Sequence, residues 1–573
     1  MAGQQTDTTV SLRSAELAEQ ATVRAVLNSY VRETGAANLH ADGAFLLALR
    51  SVGKTIRGTL TYVSLIGQHG YGPHFYEVGP DGRDRLLGTA ELIELLLEEL
   101  SVRAEGGLRK ALVNQMKERI ENSRRKMGIY VDHVMSQHRQ AGDTFDCIRS
   151  EQSLYFGHPF HPYPKSTEGF AEGDLAAYCP ELGAAFPLHY FAVHREWVSE
   201  EWLDGHGPVL PPVVIDSAEQ HLGVEASEYA IVPMHPWQAD YVSQLPEFQS
   251  LQHRGYIVSL GQLGPFLYPT SSVRTVWDPE GGYGYKLPLH VRITNLLREN
   301  TEEQVRRTMD GAKVIHHLKA ELETDSFQIL SETGYVSVRL GASESSTFSP
   351  ALTVLHRPMA VDTTSTYVMA SLLECFPGEA EPKLIQAMRQ STSGRVPDLK
   401  IWLGRYLEIS LLPQLRLFAQ FGIGFEAHLQ NSLLSLKNGL PHCYYVRDLE
   451  GVSIVRHLAE EAGWIDTLVS RDSAVLYDES EVWRRIQYYL LVNHLGSLLH
   501  VIAAYLGEGE ERCWQVVREL LLREQAGASG RLFSCIDDLL HAETLPAKAN
   551  FLSCFLDRGE RPLFIGIRNP LKA

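Results

Sequence analysis

At 573 residues the chain is too long for one ordinary hydrophobic core, so two to four structural units are expected. A composition of 44% hydrophobic and 21% charged residues describes a soluble globular protein. The net charge of −18, from 52 basic and 70 acidic side chains, argues against nucleic acid or an anionic membrane as a general partner, while leaving room for a local basic pocket. Seven scattered cysteines, none in Cys-x-x-Cys, argue against a disulfide framework or zinc knuckle and for reduced thiols in a cytoplasm.

In chain order, the N-terminus lacks the basic and apolar regions of a signal peptide. Residues 12–32 and 90–140 carry apolar residues at helical spacing, and the Gly/Pro/Asp-rich stretch from Gly70 to Gly88 reads as a surface loop between them. A mostly helical N-terminal unit is therefore expected. From 150 to 300 the texture turns to short β-like runs, followed by a helix at 300–320. Ser326–Leu330 and Gly334–Leu340 read as a hairpin. Residues 399–420 form an apolar helix, and 480–555 return to helices. The apolar run Tyr488–Leu506 contains Asn493, His494 and His500 and reads as a buried helix, not a membrane span. This order gives an α+β, multi-domain class with antiparallel sheets.

Polar clusters punctuate this pattern. In Gly157-His-Pro-Phe-His-Pro-Tyr-Pro-Lys165 three prolines stiffen a loop that presents His158, His161 and Lys165. The adjacent ammonium suits an anion better than a metal; the bland alternative is a proline-rich turn with incidental histidines. His235-Pro-Trp-Gln238 follows a strand-like run and reads as the turn that ends it. In Tyr268-Pro-Thr-Ser-Ser-Val-Arg-Thr-Val276, hydroxyls including Ser271 and Ser272 precede Arg274, a phosphate grip made without a glycine loop; a polar strand edge has the same composition. Lys286–Asn295 alternates as one strand, with Lys286, His290, Arg292 and Thr294 on the polar face and Arg298 beyond, a cationic bias that suits an anion-lined cleft.

Phe425-Glu-Ala-His-Leu-Gln-Asn431 reads as a strand with Glu426, His428 and Gln430 on one face. It leads into a hairpin turning at Asn438-Gly439, whose register sets Asp448 near Leu429. Glu426, Asn431 and Asp448 are oxygen donors suited to Mg²⁺. Cations on one side and carboxylates with magnesium on the other are what nucleotidyl or phosphoryl transfer needs. Walker-type, dinucleotide-binding, zinc-protease and hydrolase motifs are lacking.

Taken together, Gly-His-Pro-x-His-Pro-x-x-Lys, His-Pro-Trp-Gln, Pro-Thr-Ser-Ser-x-Arg-Thr, Lys-Leu-x-x-His-Val-x-Ile-Thr-Asn, Glu-Ala-His-x-Gln-Asn, Arg-Asp-x-Glu-Gly and Ala547-Lys-Ala-Asn550 resemble the IucA/IucC family of siderophore synthetases that work independently of non-ribosomal peptide synthetases. The resemblance runs from about residue 150 to the C-terminus. It implies a cupped-hand architecture of thumb (1–150), fingers (151–350) and palm (351–573, with the hairpin 425–451), in a homodimer. It also implies ATP-dependent adenylation of citrate, a citryl derivative or α-ketoglutarate, then condensation with an amine, hydroxylamine or alcohol. Carried over, His158, Arg298, Glu426 and His428 are catalytic. His161, Lys165, Ser271, Ser272, Arg274, Lys286, His428, Asn431 and Asp448 bind ATP. Thr294, Arg298, Glu426, Gln430 and Lys548 bind the acid, and Glu426, Asn431 and Asp448 hold Mg²⁺. A kinase-like phosphotransferase, forming ADP in place of AMP, is the alternative; a non-catalytic anion-binding protein is the third reading.

Overall fold

A computed structural model describes residues 10–39, 43–79, 83–104, 107–137, 144–340, 348–559 and 561–572. Residues 1–9, where the sequence lacks signal-peptide features, lie outside this set. The fold is α+β, as expected, and its sheets are largely antiparallel.

The N-terminal helices form where the periodicity places them, at Leu12–Thr34, Thr89–Ser101 and Arg109–Ser136. The first starts at Ser11, whose side chain accepts the Ser14 N–H, and stops at Gly35 with φ 61°. The stretch between is not a surface loop. Ala44–Leu49 and Lys54–Tyr62 pair, and Gly70–Tyr71, Phe75–Glu77 and Arg85–Leu87 add to them in a six-stranded sheet. Two- and three-residue strands among glycines carry too little alternation to be seen as such.

An eight-stranded sheet follows, ordered Tyr229–Met234, Phe186–His194, Ile257–Pro269, Thr275–Asp278, Tyr283–Lys286, Thr353–Pro358, Gly334–Val338, Val198–Trp202. It runs on past residue 350. The expected 326–340 hairpin does not form: Phe327–Leu330 pairs parallel with Leu440–Arg447, while Gly334–Val338 joins the eight-stranded sheet. Both runs are deeply buried, so each needs a partner on its open edges, and two different sheets supply them. The helix at 300–320 forms as Glu302–His317, opened by a Thr301–Gln304 capping box.

The helix Leu399–Phe421 is capped by Asp398 and ended by Gly422, φ 70°. It packs on the hairpin Ser432–Lys437 and Leu440–Arg447, whose turn at Asn438 (φ 53°) and Gly439 (φ 74°) is the one expected. The apolar run at 488–506 lies inside a largely buried helix, Glu479–Leu506, as expected, but Gln487–Leu495 has π-helical geometry. One contiguous core extends from Ile66 to Leu571, so regions distant in sequence share it. Near the C-terminus, Thr544–Lys548 pairs with Phe564–Arg568. The Glu33 carboxylate accepts the N–H groups of Phe551 and Leu552 at 2.7 and 2.8 Å, tying the first helix to the segment that carries Lys548.

Candidate active site

A cavity of about 1940 Å³ opens between the eight-stranded sheet and the hairpin, and the residues expected to hold ATP, the acid and Mg²⁺ all line it. Seven described residues other than glycine have positive φ, and three of them, Val273 (68°), Thr294 (56°) and Asp448 (73°), are in its wall. Backbone strain of this kind persists only where surrounding contacts over-determine it.

One wall is cationic. Thr270–Arg274 turns between two strands of the eight-stranded sheet: Ser272 Oγ accepts the Thr275 N–H at 3.2 Å, and the Ser271 N–H donates to Glu151 at 3.1 Å. Arg274 is buried, its Nη1 donating to the carbonyls of Arg298 (3.2 Å) and Glu299 (3.1 Å) and to Asn300 Oδ1 (2.6 Å). That grip fixes the guanidinium without neutralising it, and burial lowers its pKa. Arg298 donates to the Ile293 carbonyl (3.1 Å) and Thr294 Oγ1 (3.3 Å); burial, then neighbouring Arg274, lowers its pKa to about 10.

The single strand expected over 286–295 divides at Pro288, which has no N–H to give a ladder. Tyr283–Lys286 stays in the large sheet and Leu289–Ile293 joins a three-stranded one. Lys286 faces the cavity, but His290 and Arg292 do not line it: His290 pairs with Glu299 at 2.6 Å and stacks on Tyr241, and Arg292 faces Glu168 at 3.7 Å.

The histidine loop hangs from Glu374, whose carboxylate accepts the N–H groups of Tyr155, Phe156 and Gly157 at 2.9, 3.1 and 2.8 Å. His158 Nδ1 accepts the Phe160 N–H (3.0 Å) and His161 Nδ1 the Tyr163 N–H (3.2 Å). The neutral ring of His161 is thereby fixed with its proton on Nε2, and that of His158 is held by its own backbone. Nε2 of His158 faces the Asn493 amide at 2.7 Å, and that of His161 faces Cys554 Sγ at 3.6 Å. Burial pushes His158 well below the usual imidazole range and His161 down to about 4. Lys165 is already paired, at 2.5 Å, with buried Glu181.

The other wall carries the carboxylates. Residues 425–431 are not a strand: His428 caps the turn Leu429–Asn431, its Nδ1 accepting the N–H groups of Gln430 (3.2 Å) and Asn431 (3.3 Å). A side chain that bonds its own backbone takes donors a ladder would use. Asn431 Nδ2 in turn donates to the Glu426 carbonyl at 3.3 Å. Burial raises the pKa of Glu426, but Lys548, His428 and Arg485 (3.8 Å) outweigh it and hold the group below its usual value. Burial lowers the pKa of His428 against the pull of Glu426. Lys548 donates to Tyr489 Oη at 2.5 Å, and burial lowers its pKa too. A bulge at Ser435/Leu436 shifts the hairpin by one residue, and its ladder begins at Ser432 opposite Val446, so neither Leu429 nor Asp448 lies within it.

The walls meet at Lys286, which reaches Asp448 Oδ1 at 2.7 Å and Glu450 Oε2 at 2.9 Å. Burial raises the pKa of Asp448, but Lys286 and Arg357 (3.8 Å) reverse this and keep it ionised far below the usual range. Behind the contact, Glu332 pairs with Arg357 and accepts the Leu449 N–H at 3.1 Å, holding Asp448 in its strained conformation. Glu151 joins Arg447 (3.2 Å) to the serine loop, and Arg447 donates to the Gln430 carbonyl at 2.9 Å. Sequence reasoning missed Glu151, Glu332, Arg357, Glu374, Tyr489 and Asn493. Glu151, Glu332, Arg357 and Glu374 are each a single residue within an ordinary helix, strand or loop; Asn493 stood out only as a polar residue in an apolar run, and Glu450, beside them, had a signal in Arg-Asp-x-Glu-Gly. Among the described residues no group of three His, Cys, Asp or Glu side chains is placed to hold a metal alone.

Cations locked to carboxylates across one deep cleft, with histidines between, are chemistry suited to a small polyanion. Residues 146–374 match the IucA / IucC family, and residues 400–563 match the family described as ferric iron reductase FhuF-like transporter. The chain is 34% identical over 573 residues to the L-2,3-diaminopropanoate–citrate ligase of Staphylococcus aureus, covering 97% of this chain and 96% of that protein. It is 25% identical over 607 residues to the spermidine-citrate ligase of Bacillus anthracis, covering 97% and 98%. Its fold is shared with the ATP-bound aerobactin synthetase IucA of Klebsiella pneumoniae, with a TM-score of 0.84 at 24% identity over 97% of this chain and 100% of that one. The petrobactin biosynthesis protein AsbB of Bacillus anthracis follows with a TM-score of 0.79 at 18% identity over 98% and 96%. The chain belongs to the IucA/IucC family and is a ligase of siderophore biosynthesis.

Proposed function

We propose that this ligase activates a carboxylate of citrate or a citryl derivative with ATP, and then condenses it with an amine, releasing AMP and pyrophosphate. The observation that carries the reading is the facing of Arg274, Lys286 and Arg298 by Glu426, His428 and Asp448 across one cavity. ATP and the acid are both substrates. Arg274 and the Ser271–Ser272 loop grip the phosphates, and Arg298, Thr294, Glu426, Gln430 and Lys548 orient the acid.

In the first step a carboxylate oxygen of the acid attacks the α-phosphorus and the bond to the β-phosphate oxygen breaks. Charge grows on the equatorial oxygens, and fixed guanidinium and imidazole N–H groups lower that barrier because they need no reorganisation. His428, held with its proton on Nε2, serves as a neutral donor at this junction, and His158 lies beside it on the cavity wall. Glu426, ionised and paired with cations, attracts and orients the incoming ammonium, which loses one proton to solvent to free its lone pair. In the second step that lone pair attacks the activated carbonyl, AMP leaves with the bonding pair, and the nitrogen gives its second proton to the departing phosphate.

Asp448, Asn431 and Glu426 offer oxygen donors of the kind Mg²⁺ takes, and two or three protein oxygens suit an ion that completes its shell with phosphates and water. When bound, Mg²⁺ neutralises the leaving pyrophosphate. The helices and small sheet of residues 1–150 form the thumb, 151–350 the fingers and 351–573 the palm of a cupped hand, in a cytoplasmic homodimer. α-Ketoglutarate is a further acid to try.

The test is one chromatogram. Protein, ATP, Mg²⁺, citrate and either L-2,3-diaminopropanoate or spermidine should give AMP that depends on the acid. ADP as the nucleotide product would replace this reading with the kinase-like one, and no acid-dependent turnover with any of these acids would end it.

A further inference from the structure

The helix Glu479–Leu506 supplies Arg485, Tyr489 and Asn493 to the cavity, yet its middle is not α-helical. In an α-helix residues five apart lie about 140° around the axis from each other, whereas the wider turn of i→i+5 bonding brings them to within about 50°. Across Gln487–Leu495 this brings Tyr489, Asn493 and His494 onto one side. All three then touch site segments. Tyr489 receives Lys548, Asn493 meets His158 Nε2, and His494 reaches the chain between Glu426 and His428.

We propose that His494 is a positioning residue: by holding the Ala427 carbonyl it aims Glu426 and His428 at the acid, and the π-helical stretch exists to bring it there. The inference rests on the acid-activating reading above. His494 is fully buried and stands outside the cavity wall, so it touches no substrate. Its Nδ1–H donates to the Ala427 carbonyl at 2.9 Å, and the Tyr406 hydroxyl donates to Nε2, which fixes that tautomer. Ala427 is itself completely buried, so its peptide cannot swing without moving Glu426 and His428 together. A second anchor runs parallel: the Tyr444 hydroxyl meets Ser432 Oγ at 2.6 Å, and Ser432 donates to the His428 carbonyl at 3.0 Å. A glutamate and an imidazole on either side of one peptide share a single aim, and His494 sets it.

His494→Leu removes the donor; His494→Asn retains an N–H near the Nδ1 position. The readout is acid-dependent exchange of pyrophosphate into ATP by the full-length protein, with KM measured separately for acid and ATP. His494→Leu should lower kcat/KM for the acid by about 10- to 100-fold with the KM for ATP unchanged, and His494→Asn should restore most of it. Should His494→Leu not fold, Tyr406→Phe decides, since it frees the tautomer without emptying the site; a several-fold rise in the acid KM alone is expected. Equal losses for acid and ATP, failure of the asparagine to rescue, or an unchanged acid KM in Tyr406→Phe would overturn the assignment. If the wild-type protein shows no acid-dependent exchange at all, it is the proposed function that fails, not the aim of this residue.

Discussion

The two walls of the cleft are built by different means. The cationic wall is mostly local: Ser271, Ser272 and Arg274 sit on one turn between neighbouring strands, and Arg274 is braced by carbonyls and an amide only 24 to 26 residues away, although the Ser271 N–H reaches Glu151, 120 residues distant. The carboxylate wall is assembled from afar. Glu426 answers to Arg485 and Lys548, Ala427 to His494, and Asp448 to Lys286, a partner 162 residues back. On the function proposed above, a wall that binds the same three phosphates in every cycle can be fixed largely by its own turn, and a wall that fits one acid and admits an amine draws its aim from packing, which substitutions elsewhere can tune.

The comparison breaks first if Arg274 is dispensable. Arg274→Ala should cut acid-dependent AMP formation by about 10²- to 10³-fold, the loss expected when a fixed donor to developing charge is removed. Because the residue also caps three acceptors, its melting temperature should be recorded alongside; full activity in the folded variant would remove the phosphate grip from this wall. Asp448→Asn is the next largest. It takes a charge from the contact where the walls meet while leaving Lys286 paired to Glu450, so the Mg²⁺ concentration for half-maximal rate should rise about 10- to 100-fold. An unchanged Mg²⁺ dependence would make Asp448 a purely structural partner of Lys286.

The same contrast decides what the sequence could reveal. Motifs whose residues act within a few positions of one another were legible: the serine loop, the histidine loop, the Asn438-Gly439 turn and the buried character of the helix at 488–506. Lys286 was placed correctly although its strand was not, because Pro288 breaks the alternation into two sheets while leaving the lysine on the cavity side. What failed were inferences made from alternation alone. Phe425–Asn431 alternates like a strand, but His428 satisfies the turn's own N–H groups. Phe327–Leu330 and Gly334–Val338 look like a hairpin, and each has a better-placed neighbour elsewhere. Glu151, Glu332 and Glu374 carry no local pattern at all; they are carboxylates that become informative only once the backbone amides they accept are brought to them.

Acid should loosen both walls, with a smaller effect on turnover than either substitution above. His235 and His356, behind the cationic wall, are held by burial at about 3, and His494, behind the other, at about 4. The unfolded chain binds a proton at each of these near pH 6.5 and the folded one does not. Stability is therefore present above that pH and declines as pH falls from about 6.5 towards 4, by up to about 1.4 kcal/mol per pH unit for each histidine. Thermal melts from pH 7.5 to 5 should show a falling midpoint, and a flat series would mean that these rings find compensation the contacts do not show.

Lys165 gives the smallest effect on chemistry and the sharpest test of how the cationic wall is counted. Its place beside His158 and His161 suggested an anion contact, and it does line the cavity. Its ammonium, however, is 2.5 Å from the buried Glu181 carboxylate, so most of its field is spent before a phosphate arrives. Removing one member of a buried pair leaves the other uncompensated, a cost of about 3–5 kcal/mol in stability. Lys165→Met should accordingly lower the melting temperature clearly, yet change the ATP KM of the folded protein by less than about threefold, within 0.7 kcal/mol of interaction. Pairing it with Glu181→Leu should restore much of the stability, because an apolar pair of similar volume carries no desolvation cost. A tenfold rise in ATP KM that the second substitution does not relieve would put Lys165 back among the phosphate ligands. The cationic wall would then extend beyond the serine turn to the histidine loop, and it would no longer be the locally built one.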